Sequence, residues 1–215
     1  MLVAMGDSIT DGHGATTDGN NRWPDVLAER LRRDGPLMGV VNVGIGGGRV
    51  LRDGLGPNMA ARWDRDVLAR PGVTHVAVII GVNDLGNLHR NGDDSPQTRQ
   101  RMLDDIMLAH RQLVERAHAH GICVIGGTLT PYMGADYYRP NADNEADRVA
   151  LNTWIRTSGV FDAVADFDAA TRDATQPARF SKEADSGDGL HPSPAGFRAM
   201  AAAMPLEALK KRCGP

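Results

Sequence analysis

Short apolar runs rich in β-branched residues alternate along this chain with longer stretches whose apolar residues recur every three or four positions. The short runs are Val3–Met5, Val40–Val43, His75–Ile80 and Ile122–Ile125, with Ala163–Phe167 a weaker fifth. Continuous apolar runs of this length suit strands buried on both faces of a parallel sheet. The helical stretches begin with Trp23–Arg33, where Val26, Leu27 and Leu31 share a face and Pro24 falls in the first turn. A longer one runs from Pro96 to His120, with Ser95 as N-cap and Gly121 as stop. Its apolar positions are Met102, Leu103, Ile106, Leu113, Val114 and Ala117. Asn144–Thr157 and Pro194–Met204 complete the set; Ser193 caps the last and Pro205 ends it. Loops are expected at roughly 84–97 and 128–143. Alternating β and α elements with short links predict an α/β protein, a doubly wound three-layer α/β/α sandwich around a five-stranded parallel sheet. The length of 215 residues suits one domain spanning 1–215.

In open sheets of this kind, functional sites form beyond the C-terminal ends of the strands. Polar, glycine-containing segments fall at those points. Gly6-Asp7-Ser8-Ile9-Thr10 follows the first strand, Asn42-Val43-Gly44-Ile45-Gly46-Gly47-Gly48 the second, and Gly81-Val82-Asn83-Asp84 the third. A fourth segment, Asp188-Gly189-Leu190-His191-Pro192, lies near the C-terminus. A Gly-Asp-Ser turn alone is a common structural feature. The four segments in this order are much harder to obtain by chance.

The residue types suit acyl transfer. A serine hydroxyl is a poor nucleophile until a base accepts its proton. His191 is a suitable base, since an unperturbed imidazole titrates near neutrality. Asp188 lies three residues before it and reaches the ring if the segment turns. Backbone N–H groups of Ser8 and of a glycine after the second strand, with the Asn83 amide, are candidate oxyanion donors.

Gly-Asp-Ser near the N-terminus, Gly-x-Asn-Asp after the third strand and Asp-x-x-His near the C-terminus together resemble the SGNH, or GDSL, hydrolases. The match spans almost the whole chain. It implies a flavodoxin-like fold, Ser8 as nucleophile, and the Asp188 and His191 pair. It also implies Ser8, a glycine of the second block and Asn83 as the oxyanion hole, with no cofactor. By spacing from Asn42 the glycine is Gly47, and the run Gly46–Gly48 leaves the register open by one. The first motif reads Gly-Asp-Ser-Ile instead of Gly-Asp-Ser-Leu, an apolar exchange. Asn20-Asn21-Arg22-Trp23-Pro24-Asp25 is similar to an arylesterase and carbohydrate-acetylesterase branch, which implies a small ester or an acetylated carbohydrate as substrate. A lysophospholipase or thioesterase, an acyltransferase, and a non-catalytic carbohydrate-binding module on the same fold are the alternatives. The intact set of chemical residues argues against the last.

Several residues invite sharper readings than the sequence supports. Asp7 is expected to bond nearby backbone, Asp84 to brace its loop, and Trp23 to pack, although it is also a candidate wall of the site. His13 is a candidate for the cleft. His89, His110, His118 and His120 are expected in solvated positions, and His118-x-His120 is a poor helical metal pair. Asn141-Ala142-Asp143-Asn144-Glu145-Ala146-Asp147 spaces its acceptors like a calcium loop but lacks the glycine and distal glutamate of one. It is expected to lead into a capped helix. Arg49 stands where the third glycine of a dinucleotide fingerprint belongs. Cys123 and Cys213 are expected as two free thiols, and no metal site is predicted.

Bulk composition changes little. A net charge of -3 offers no electrostatic case for nucleic acid or an acidic membrane surface. No run reaches the length of a membrane span. No signal peptide is visible, and the apolar run Leu2–Met5 is too short for one. Location stays open between secretion, if a leader has been removed, and the cytoplasm.

Overall fold

The computed structural model describes residues 1–213. Five parallel strands form one sheet: β1 (Leu2–Gly6), β2 (Val40–Asn42), β3 (His75–Ile79), β4 (Cys123–Gly127) and β5 (Ala163–Ala165). Their order is β2-β1-β3-β4-β5. Every residue of β1, β3 and β4 is buried, which is why these runs are apolar without alternation. In register, Val3 of β1 lies between Val41 of β2 and Val76 of β3.

The helices are α1 (Ser8–Asp11), α2 (Trp23–Asp34), α3 (Met59–Trp63), α4 (Val82–Arg90), α5 (Pro96–His118), α6 (Ala142–Thr157), α7 (Phe167–Thr171) and α8 (Pro194–Ala203). One outer layer packs α2, α7 and α8 together; the other packs α3, α4, α5 and α6. The result is the three-layer α/β/α sandwich expected from the pattern. From β1 the chain turns first to one side of the sheet, then crosses to β3 on the other. That reversal opens a crevice at the C-terminal ends of β1 and β3.

Capping explains where the longer helices start. Ser95 accepts from the Thr98 N–H, and Ser193 accepts from the N–H groups of Ala195 and Gly196. Asn141 accepts from the N–H of Asp143 and of Asn144, while the Asn144 side chain accepts from the Asn141 N–H. This reciprocal box starts α6 at Ala142, two residues earlier than expected. Part of the acceptor-rich segment therefore caps a helix.

Three expectations need correction, and one segment carried none. Most of the presumed loop at 84–97 is helical, because Val82, Leu85 and Leu88 bury one face of α4 in spite of its glycine and asparagines. Residues 59–68 form α3 and a π turn, Asp64–Leu68, that the pattern did not suggest. His110 is buried, not solvated. It stands four residues after Ile106 on the apolar stripe of α5, donates from Nδ1 to the Ile106 carbonyl, and lies edge-on to Trp154 and Phe161. Finally, Cys123 and Cys213 are not free thiols but a disulfide, with Cα atoms 5.0 Å apart across 90 residues of chain. Only the folded chain brings the start of β4 beside the C-terminal segment.

Closing so long a loop restricts the unfolded chain. Reduction, or a Cys213→Ser substitution, is expected to lower the unfolding free energy by about 2–4 kcal/mol. The urea midpoint of the oxidised protein, compared with that of the reduced protein, checks this; equal midpoints would refute it.

Candidate active site

Ser8 owes its place to the end of β1. Asp7 stops the strand, and its Oδ1 accepts from the Ile9 N–H at 3.0 Å, starting the single turn of α1 at Ser8. That turn is braced from three sides. Trp23 Nε1–H donates to Thr10 Oγ1 at 3.2 Å, so Trp23 packs beneath the turn and is fully buried. Asn42 Nδ2 donates to the Thr10 carbonyl at 2.6 Å, while its Oδ1 accepts from Gly44. Arg62, buried in α3, donates to the carbonyls of Val43 at 2.5 Å and Gly6 at 3.0 Å and pairs with Asp66 at 3.1 Å. Arg62 thus ties the ends of β1 and β2 together. It lies in the segment whose helix the pattern did not suggest, and no sequence signal marked it.

The Asp188–His191 segment is a hydrogen-bonded turn just before α8. Asp188 Oδ1 accepts from the N–H groups of Leu190 at 2.9 Å and His191 at 2.8 Å, and from the Ser186 hydroxyl at 3.2 Å. Its Oδ2 faces His191 Nδ1 at 2.6 Å. Gly189 takes φ +69 here, and a Cβ would collide with the Gly134 backbone, so the turn presses tightly on the neighbouring loop. The other ring nitrogen, His191 Nε2, is 2.8 Å from Ser8 Oγ. An ionised Asp188 only accepts, so Nδ1 carries the proton and Nε2 of the neutral ring accepts from the serine hydroxyl. Serine, histidine and aspartate therefore form one continuous hydrogen-bonded chain across the crevice.

The candidate donors lie on the segments that follow β1, β2 and β3. Among the described residues, the N–H groups of Ser8 and Gly47 have no hydrogen-bond partner, whereas the Gly48 N–H bonds to the Ile45 carbonyl at 2.9 Å. That bond removes Gly48 from the candidates. Gly47 takes φ +70, a left-handed conformation that favours glycine. Leu55, itself largely exposed, lies against Gly47. Asn83 Nδ2 donates one hydrogen to the Gly48 carbonyl at 2.9 Å, and its Oδ1 accepts from the Tyr138 hydroxyl at 2.6 Å. Tyr138 therefore fixes which way the amide points. It lies in the 128–143 loop and was missed, because nothing local in the sequence links a tyrosine to an asparagine 55 residues away.

Burial dominates the electrostatics. It pushes the Asp7 carboxyl up to about 7, against the pull of the Ile9 N–H bond. It pushes Asp84 to about 7 as well, although both Asp84 oxygens accept from the Val50 N–H. Asp84 thus braces the segment after β2 and not its own. For Asp188, burial works upward but loses to the bonds from His191 and Leu190, which bring it to about 2. Burial lowers His191 despite the opposing Asp188 charge, and the nearby His13 lowers it further. The His13 ring lies 4.0 Å from that of His191, at the cleft.

The parallel α/β/α sheet thus carries this serine, histidine and aspartate together at its switch point. The family model of the GDSL-like lipases and acylhydrolases matches residues 4–199, and the chain belongs to that family. It is a carboxylic ester hydrolase. Among curated proteins none matches the chain. Solved structures share the fold at low identity. The aryl esterase of M. smegmatis is 18% identical, with 97% of this chain and 96% of that one covered at a TM-score of 0.68. A GDSL-like lipase from Bacteroides thetaiotaomicron is 19% identical over 97% and 87%, at 0.68. An acetylxylan esterase from Geobacillus stearothermophilus is 24% identical over 94% and 90%, at 0.64.

A carboxyl whose folded pKa exceeds its unfolded one binds the extra proton in the folded state. Stability is then greatest below the ordinary carboxylate range and is lost as pH rises through about 7. Asp7→Asn keeps an acceptor for Ile9 while removing that ionisation. Urea midpoints measured between about pH 5 and pH 8 are expected to fall less in Asp7→Asn than in the wild type. Identical slopes would contradict the assignment.

Proposed function

We propose that the protein is a serine esterase that removes short acyl groups, acetyl above all, through an acyl-enzyme, with acetylated plant carbohydrate as its substrate class. The observation that carries the chemistry is the chain of contacts from Ser8 Oγ to His191 at 2.8 Å and from His191 to Asp188 at 2.6 Å. Ser8 Oγ attacks the ester carbonyl as His191 Nε2 takes its proton. Asp188 holds the ring in the required tautomer and stabilises the imidazolium that forms. The N–H groups of Ser8 and Gly47 and the second Asn83 Nδ2 hydrogen receive the developing oxyanion. His191 then protonates the leaving alcohol, and a water activated by the same nitrogen releases the acid.

Support for the substrate class is of a different kind. The acetylxylan esterase from G. stearothermophilus shares the fold over most of both chains. The segment Asn20–Asp25, similar to that branch, here braces the turn that carries Ser8: Arg22 forks onto Asp25, and Trp23 supports Thr10. Aromatic residues make up only 5% of the chain, which offers little for a long lipid-binding stripe.

Ser8→Ala is expected to lower kcat on p-nitrophenyl acetate by at least about 10³-fold and to abolish labelling by a fluorophosphonate. A variant as active as the parent would refute the role of Ser8. Esters of increasing chain length, run beside acetylated xylan and pectin fragments, test the substrate class; preference for acyl groups beyond about eight carbons would exclude it. Tyr138→Phe frees the Asn83 amide to rotate while leaving the donor in place. It is expected to reduce kcat about tenfold, the equivalent of one hydrogen bond, with KM nearly unchanged.

A further inference from the structure

His13 has no part in the chemistry proposed above, yet its ring is aimed at it. Its Nε2 lies 3.8 Å from Asp188 Oδ2, and its ring centroid is 4.0 Å from that of His191. One ligand atom from each of His13, Asp188 and His191 falls within 4.8 Å of the other two. The backbone N–H of His13 bonds to the Ser8 carbonyl at 2.9 Å, so the residue is anchored to the same turn as the serine. Asp188 is equally fixed. Three donors hold its Oδ1, which leaves Oδ2 facing both imidazoles.

We propose that His13, Asp188 and His191 form an inhibitory binding site for a borderline transition-metal ion, zinc in particular, at the mouth of the crevice. Two imidazoles and a carboxylate are a zinc donor set that leaves the fourth position to water. Tetrahedral zinc with bonds near 2.0–2.1 Å sets its ligand atoms about 3.4 Å apart. The 3.8 Å between His13 and Asp188 is close to that spacing, and the 2.6 Å between Asp188 and His191 must open. The exposed His13 side chain can move to meet the ion.

The chemistry makes the ion an inhibitor and not a catalyst. Zinc on His191 Nδ1 takes the place of the proton now shared with Asp188. A neutral ring carries a single proton, which must then sit on Nε2 after passing through solvent. Nε2 becomes a donor and no longer accepts from Ser8, so the base is lost while the serine stays in place. Hard cations such as magnesium prefer all-oxygen, octahedral sets and do not fit two imidazoles. The inhibitory part of this inference rests on the esterase reading; the binding part does not.

Equilibrium dialysis of chelator-stripped protein against zinc tests binding without any activity. The wild type is expected to retain one zinc that His13→Ala holds at least about tenfold more weakly. Equal retention by the two would overturn the site, whether or not the protein hydrolyses esters. Hydrolysis of p-nitrophenyl acetate, read in each protein as the ratio of rates with and without zinc, tests inhibition. The wild type is expected to lose activity, to recover it with EDTA and to ignore magnesium, and His13→Ala to need about tenfold more zinc. Undiminished hydrolysis by zinc-loaded wild type would overturn the inhibitory role.

Discussion

A single hydrogen bond, between Ser8 Oγ and His191 Nε2, spans 183 residues of sequence, and the proposed chemistry depends on it. Nothing local secures that contact. It holds because β1 is a central, fully buried strand and α8 packs back on the layer beside it. Arg30 of α2 donates to the carbonyls of Ala201 and Met204 at the end of α8, both at 2.8 Å. Ser193 fastens the start of α8 through its bonds to Ala184 and Glu183. Both anchors hold α8, which begins three residues after His191, and the His191 ring meets a serine whose own turn is braced independently.

The crevice is expensive to build. Asp7 Oδ2 and Arg62 Nε are buried without a partner, and two carboxyls near the serine are raised toward neutrality by burial. Leaving such groups unpaired costs roughly 1–3 kcal/mol each. The apolar sheet beneath offsets the cost, since burying one valine or leucine side chain contributes about 1.5–3 kcal/mol.

Much of the scaffold was legible in the chain. The five apolar runs became the five strands, and the capped helices start within a residue or two of their caps. Where legibility failed, composition misled. The glycine and asparagines of α4 and the imidazole of His110 looked like surface features, yet both positions are decided by packing against neighbouring helices. The π turn and Arg62 had no local signal at all.

The site divides in the same way. Short-range chemistry is written in neighbouring residues: a carboxylate three positions from an imidazole closes a turn, and an aspartate before a serine starts one. Such local patterns suffice for the strands, for most of the helices, for the family and for the residues worth testing. Which of those residues meet is settled by the packing of the layers. It joined Cys123 to Cys213, turned the Asn83 amide with Tyr138, engaged the Gly48 N–H internally, and set His13 against Asp188. These are contacts between groups far apart along the chain. Their distances follow from how the layers pack, which local preference does not encode.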